Sequence, residues 1–100
     1  MTMARLADGL VHIRSTPLFT QDTLPSGLRA DHCTKEGSWG SIRVTSGSLR
    51  YEVCDPRRPP SSVVLTPAGP PGIIEPTILH RVEPIGAVEF LVEFWRPVEN

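Results

Sequence analysis

One hundred residues, 39% of them hydrophobic and with a net charge of -1, describe a single soluble domain with room for one core. Ten basic residues are scattered and offset by eleven acidic ones, and the one adjacent basic pair, Arg57-Arg58, lies among prolines, so nucleic acid is not an expected partner. No apolar stretch approaches the roughly 20 residues that a membrane helix needs, and Met1 to Leu10 lacks an apolar h-region, so the expected location is the cytoplasm.

Eleven prolines and eight glycines punctuate the chain and leave no window for a long amphipathic helix. In chain order, Val11 to Arg14 reads as an edge strand ending before Pro17, and Leu28 to Thr34 reads as a second strand. Trp39 to Thr45 alternates, with Ile42 and Val44 on one face. Ser46-Gly47-Ser48 reads as a tight turn into Leu49 to Val53, forming a hairpin. Asp55 to Ser62 is a loop rich in proline and arginine. Val63 to Thr66 reads as a short buried strand, Ile73 and Ile74 resume the chain, and Pro76 bends it toward His80. Val88 to Trp95 is the strongest strand, with Val88, Phe90, Val92 and Phe94 on one face and Glu93 on the other. Short strands between turn residues predict an all-β domain, a sandwich or barrel, spanning residues 1–100.

The chemistry that the residues offer centres on His32 and His80. Two histidines on separate strands can converge inside a barrel, where neutral imidazole is a common metal ligand. The other reading makes them core residues satisfied by hydrogen bonds. Cys33 and Cys54 form no disulfide framework and match no CxxC metal spacing; they read as reduced structural thiols. Strand alternation would turn Cys33 away from His32, which excludes a cysteine–histidine nucleophile. No G-x-S-x-G elbow and no glycine-rich phosphate loop is present.

Leu24-Pro25-Ser26-Gly27-Leu28, His32-Cys33-Thr34-Lys35 with Trp39-Gly40, Gly47-Ser48-Leu49-Arg50-Tyr51, His80-Arg81-Val82-Glu83-Pro84 and Val92-Glu93-Phe94 follow one another in this order. Together they resemble the YeaR/TehB-like cupin-type domain of tellurite-resistance proteins, over about residues 16–96, in its stand-alone form. The resemblance implies a small cupin-like double-stranded β-barrel binding a divalent metal (Zn, Fe, Ni or Mn) at its mouth. His32 would stand at the first ligand position, Thr34 at the second and Gly47 at the closing glycine. Ser38 or Trp39 would fall about where a glutamate is usual, and His80 would carry the second motif. Glu93 and Glu83 both match acids of the family pattern and are candidates to complete the ligand set. Thr34, Lys35 and Trp39 are candidate pocket residues: Lys35 as an anion partner at the rim or a solvated turn lysine, Trp39 as core or pocket wall.

The expected function is accordingly a metal pocket acting in tellurite, oxyanion or oxidative stress, with a small molecule or oxyanion as ligand. The alternative is a metal-free small-molecule binding or protein-interaction module. A homodimer is expected, because so small a barrel gains from pairing with a second copy.

Overall fold

The structure, a computed structural model, describes residues 9–98. The leader reading of the N-terminus therefore falls almost wholly outside the described residues. Six strands form one antiparallel sheet: β1 (Leu10–Ser15), β2 (Phe19–Thr20), β3 (Trp39–Val53), β4 (Ser61–Leu65), β5 (Gly72–Ile74) and β6 (His80–Pro97). A 3₁₀ turn at Ser26–Arg29 is the one helical element among the described residues, and none is long and apolar enough to cross a membrane.

The order is β1-β6-β3-β4, with β2 added to β6 and β5 added to β3. β1 pairs with β6 and β4 with β3, and the two ends of the sheet do not meet. The all-β expectation thus holds, while the closed cupin barrel is replaced by an open sheet. The physical reason lies in the lengths of the strands and in the prolines. β2 and β5 are two and three residues long, and the connections around β4 carry Pro56, Pro59, Pro60, Pro67, Pro70 and Pro71, none of which has an N–H for a ladder.

Two long strands make the frame. β3 has 15 residues and β6 has 18, paired from Trp39 opposite Trp95 to Val53 opposite His80. What reads in sequence as a hairpin turn at Ser46-Gly47-Ser48 is a pair of opposed bulges inside this ladder. Thr45 is one extra residue on β3, and Gly86-Ala87 are two extra on β6. The count matters for side-chain direction. One extra residue moves the inward positions of β3 from Ile42 and Val44 to Leu49 and Tyr51, whereas two leave β6 in phase from Val82 to Val88, Phe90 and Val92. Both strands therefore keep their apolar residues on the same side through the bend. Gly47 sits in the crossing at φ 78°, a conformation costly for other residues, with the carbonyl of Ala87 close by.

The core is built from these inward positions, with Phe90, Ile42, Leu49, Val88 and His80 the most completely buried side chains. Two other strand readings differ from the structure. Leu28 to Thr34 is the 3₁₀ turn followed by a single bridge between His32 and His80; no period-2 apolar pattern runs through it. Val63 and Val64 are exposed on an edge strand, and only Leu65 of β4 is buried.

Candidate ligand-binding cavity

The inward face of β6 continues past the core in both directions, because every second residue shares it. His80 stands at one end, Val82, Phe90, Val92 and Phe94 follow, and Arg96 closes the other end. The face forms one wall of a cavity of about 540 Å³. Ile42 of β3 and Ile74 of β5 add to the apolar side, and Leu28 and Phe19 approach from the other. Arg14 of β1, the segment His32–Lys35 and Ser38 are also part of the lining.

His32 and His80 are brought together by the bridge between their backbones, His32 N to His80 O at 3.0 Å and His80 N to His32 O at 2.8 Å. Their ring centroids lie 4.1 Å apart at 60°. Each imidazole donates from Nδ1 to a carbonyl two residues earlier: His32 to Ala30 O at 2.9 Å and His80 to Ile78 O at 3.0 Å. A carbonyl only accepts, so Nδ1 carries the proton in the neutral ring and Nε2 is left as an acceptor. His80 is buried, yet among the described residues no buried side-chain nitrogen or oxygen lacks a partner. Its Nε2 therefore reaches the cavity rather than being sealed in the core. Burial pushes the His80 pKa below its ordinary value; the bond to Ile78 O offsets part of this, and the neighbouring His32 adds to the depression.

The divalent-metal expectation (Zn, Fe, Ni or Mn) is corrected here. Among the described residues no group of three or more His, Cys, Asp or Glu could hold an ion. The two histidines meet, but the carboxylates needed beside them are elsewhere. Glu93 is an odd-numbered residue of β6, on the opposite face, where it pairs with Arg43 at 2.9 Å. Glu83, likewise odd-numbered, is exposed and borders a separate recess with Arg29, Glu52 and Arg81. A two-imidazole set without carboxylate is short of the ligands that such metals take.

Thr34 and Lys35 line the cavity, Thr34 with its hydroxyl donating to Ser38 O at 2.6 Å. Trp39 does not line it: it sits opposite Trp95 at the far end of the β3–β6 ladder. Cys33 lines the cavity beside His32, contrary to the alternation argument, because the chain there makes one isolated bridge and no strand. It is exposed, and both Cys33 and Cys54 are free thiols. Arg14 and Arg96 are the residues that reading by motif passes over. The signal for Arg96 was present: extending the alternation of Val88 to Phe94 by one step reaches it.

The cations at the cavity are held ready. The Arg14 guanidinium lies 4.5 Å from the Phe94 ring centre, and Arg96 donates to Ser38 Oγ at 3.0 Å. Among the described residues, the arginines with carboxylate partners are Arg43, Arg57, Arg58 and Arg81, and none of these lines the cavity.

Residues 14–92 match the TehB-like domain family. The Haemophilus influenzae protein named as a probable S-adenosyl-L-methionine-dependent methyltransferase TehB is 33% identical over 75 residues, 74% of this chain and 26% of that protein. This chain thus spans about a quarter of the length of that relative. YeaR of Escherichia coli strain K12 is 27% identical over 86 residues, 81% of this chain and 72% of YeaR. The crystal structure of Haemophilus influenzae TehB superposes with a TM-score of 0.81 at 27% identity, covering 90% of this chain and 32% of that one. A crystal structure of an Escherichia coli K12 protein gives 0.83 at 23% identity over 97% of this chain and 100% of the other, a likeness of fold. The Haemophilus influenzae relative bears the name of a probable methyltransferase dependent on S-adenosyl-L-methionine, not of a metal protein, and so lends no support to a divalent ion or a cupin metal site.

Proposed function

We propose, for a chain that belongs to the TehB-like domain family, that the cavity binds a small organic anion without a metal. One observation carries this reading: among the described residues Arg14, Lys35 and Arg96 line the cavity and no aspartate or glutamate does, in a chain with more acidic than basic residues. Three cations that have no carboxylate partner among the described residues produce a positive potential at the rim, strengthened by the low-dielectric wall behind them. The volume suits a small ligand, and Phe90, Val92, Phe94 and Ile42 offer an apolar surface for its body. The Nε2 acceptors of His32 and His80 receive a donor on the ligand.

A compact oxyanion such as tellurite would meet the cations but leave the apolar wall unused, so an organic anion fits better. S-adenosylmethionine, the cofactor in the name of the Haemophilus relative, carries a sulfonium cation of the wrong sign for this lining. No reaction is assigned.

Titration calorimetry at low salt with benzoate, benzyl alcohol, tellurite and S-adenosylmethionine tests the reading. Benzoate should bind at least about tenfold more tightly than benzyl alcohol, since a charge-assisted contact contributes about 1.5 kcal/mol or more. Arg96→Gln and Lys35→Glu should each remove most of that preference, and added salt should weaken it. Benzoate binding should tighten only as pH falls below the ordinary imidazole range, where the His80 ring, its pKa lowered by burial, takes up a proton. Equal affinity for benzoate and benzyl alcohol, or tightest binding of S-adenosylmethionine, would overturn it.

For assembly, we propose a homodimer paired through β4. This edge strand reads Ser-Ser-Val-Val-Leu, with Val63 and Val64 half exposed, and carries neither a charge nor a proline to block pairing. Light scattering should give twice the 11.0 kDa chain mass, and Val63→Lys should return it to the monomer value. A monomer at high micromolar concentration rejects the dimer.

A further inference from the structure

We infer that Asp55 and Arg57, which do not line the cavity, are positioning residues that set the orientation and tautomer of His80 inside it. The argument begins with the turn before β6. Thr77 has φ 66°, in the left-handed region that a β-branched residue avoids, so the turn at residues 75–79 needs external support. That support comes from one buried carboxylate. Asp55 Oδ1 accepts from Arg57 N at 2.8 Å and Arg57 Nε at 2.9 Å. Its Oδ2 accepts from Arg57 Nη2 at 2.8 Å and from the backbone N of Leu79 at 3.0 Å. The same Arg57 Nη2 donates to Thr77 O at 2.6 Å.

Thr77 and Leu79 are thus both fastened to the Asp55–Arg57 pair, and between them lies Ile78, whose carbonyl accepts the His80 Nδ1 proton at 3.0 Å. Two further bonds close the circuit. Leu79 O accepts from Cys54 N at 3.0 Å, and Thr77 N donates to Thr34 O at 3.0 Å, joining the turn to the segment that carries His32. The guanidinium and the Leu79 amide hold the Asp55 carboxyl well below the usual carboxylate range, so the fastening stays ionised at working pH. A neighbouring ion pair, Arg58 with Glu75 at 2.8 Å, lies on the same loops; the Glu75 backbone carbonyl accepts from Ile78 N at 3.4 Å, but among the described residues neither side chain of the pair bonds to Thr77, Ile78 or Leu79. It provides a control.

The inference deepens the cavity reading but rests only on the two histidines reaching the cavity, and its test uses ligand-free protein. Long-range ¹⁵N–¹H spectra of the imidazoles should show His80 in the Nδ1–H form in the wild type. Asp55→Asn and Arg57→Gln should each move its Nδ1–H to Nε2–H ratio roughly fivefold toward the other tautomer, the equivalent of one neutral hydrogen bond of about 1 kcal/mol. Arg57→Lys, which keeps the charge but not the planar fork, should restore part of the shift. Arg58→Gln should leave His80 unchanged. Should Asp55→Asn fail to fold, Arg57→Gln decides alone. Folded Arg57→Gln with wild-type His80 nitrogens, or an Arg58→Gln shift as large as that of Arg57→Gln, would overturn the inference.

Discussion

Gly47→Ala should destabilise the domain more than any other glycine-to-alanine substitution, by about 3 kcal/mol or more. Two effects combine. The residue sits at φ 78°, where an added Cβ costs about 1–2 kcal/mol. That Cβ would also lie 2.1 Å from the carbonyl oxygen of Ala87 and 3.0 Å from Val88 Cα, backbone atoms of the facing strand that cannot rotate away. At about 4–8 °C per kcal/mol for a domain of this size, the melting midpoint should fall by at least ~12 °C. Gly86→Ala separates the two causes. Gly86 has φ 67° with nothing within 4 Å of the added atom, so only the conformational cost applies, about 1–2 kcal/mol. Equal midpoints for the two variants would show that the crossing of the bulges is looser than this geometry requires.

Phe90→Ala should cost about 3–5 kcal/mol in urea denaturation. Its side chain is 0% exposed and meets Phe19 edge-to-face with ring centres 5.7 Å apart, tying β2 onto β6. The ring also forms part of the cavity wall, so truncation enlarges the cavity and leaves β2, two residues long, with little to hold it. Phe94→Ala makes the contrast. Phe94 is only partly buried and packs under the Arg14 guanidinium, so its loss should cost about 1 kcal/mol in stability while weakening benzoate binding. A Phe90→Ala cost below about 1 kcal/mol would mean that the core repacks around the gap.

Alternation made the strands legible. Ile42 and Val44, Leu49 and Tyr51, and Val88 to Phe94 all point where a period of two places them. The bend between the first two pairs was not legible, because Ser46-Gly47-Ser48 satisfies a hairpin turn as well as it satisfies a bulge. Only the partner strand distinguishes them, and that strand lies far along the chain, with Gly47 opposite Val88. The same limit explains the ligand set. His32 and His80 are visible as a pair, but that Glu93 faces Arg43 follows from the parity of β6, and parity argued against it from the start. The resemblance drew it in; the geometry put it out. Closure of the sheet is a long-range property that short strands and prolines decide collectively, and no single motif carries it. Arg14 lies on an edge strand with a register shift between His12 and Arg14, so its face could not be counted along the chain.

That one strand supplies His80, the apolar wall and Arg96 has a consequence for how the gene can change length. Insertion or deletion of a single codon between these residues would reverse the facing of everything beyond it and swing Glu93 or Trp95 toward the cavity in place of Phe94. Two codons would restore it. Length variation across this stretch should therefore come in even steps or collect in a bulge, and the Gly86-Ala87 pair, two extra residues with the phase intact, has the form of one such step already taken.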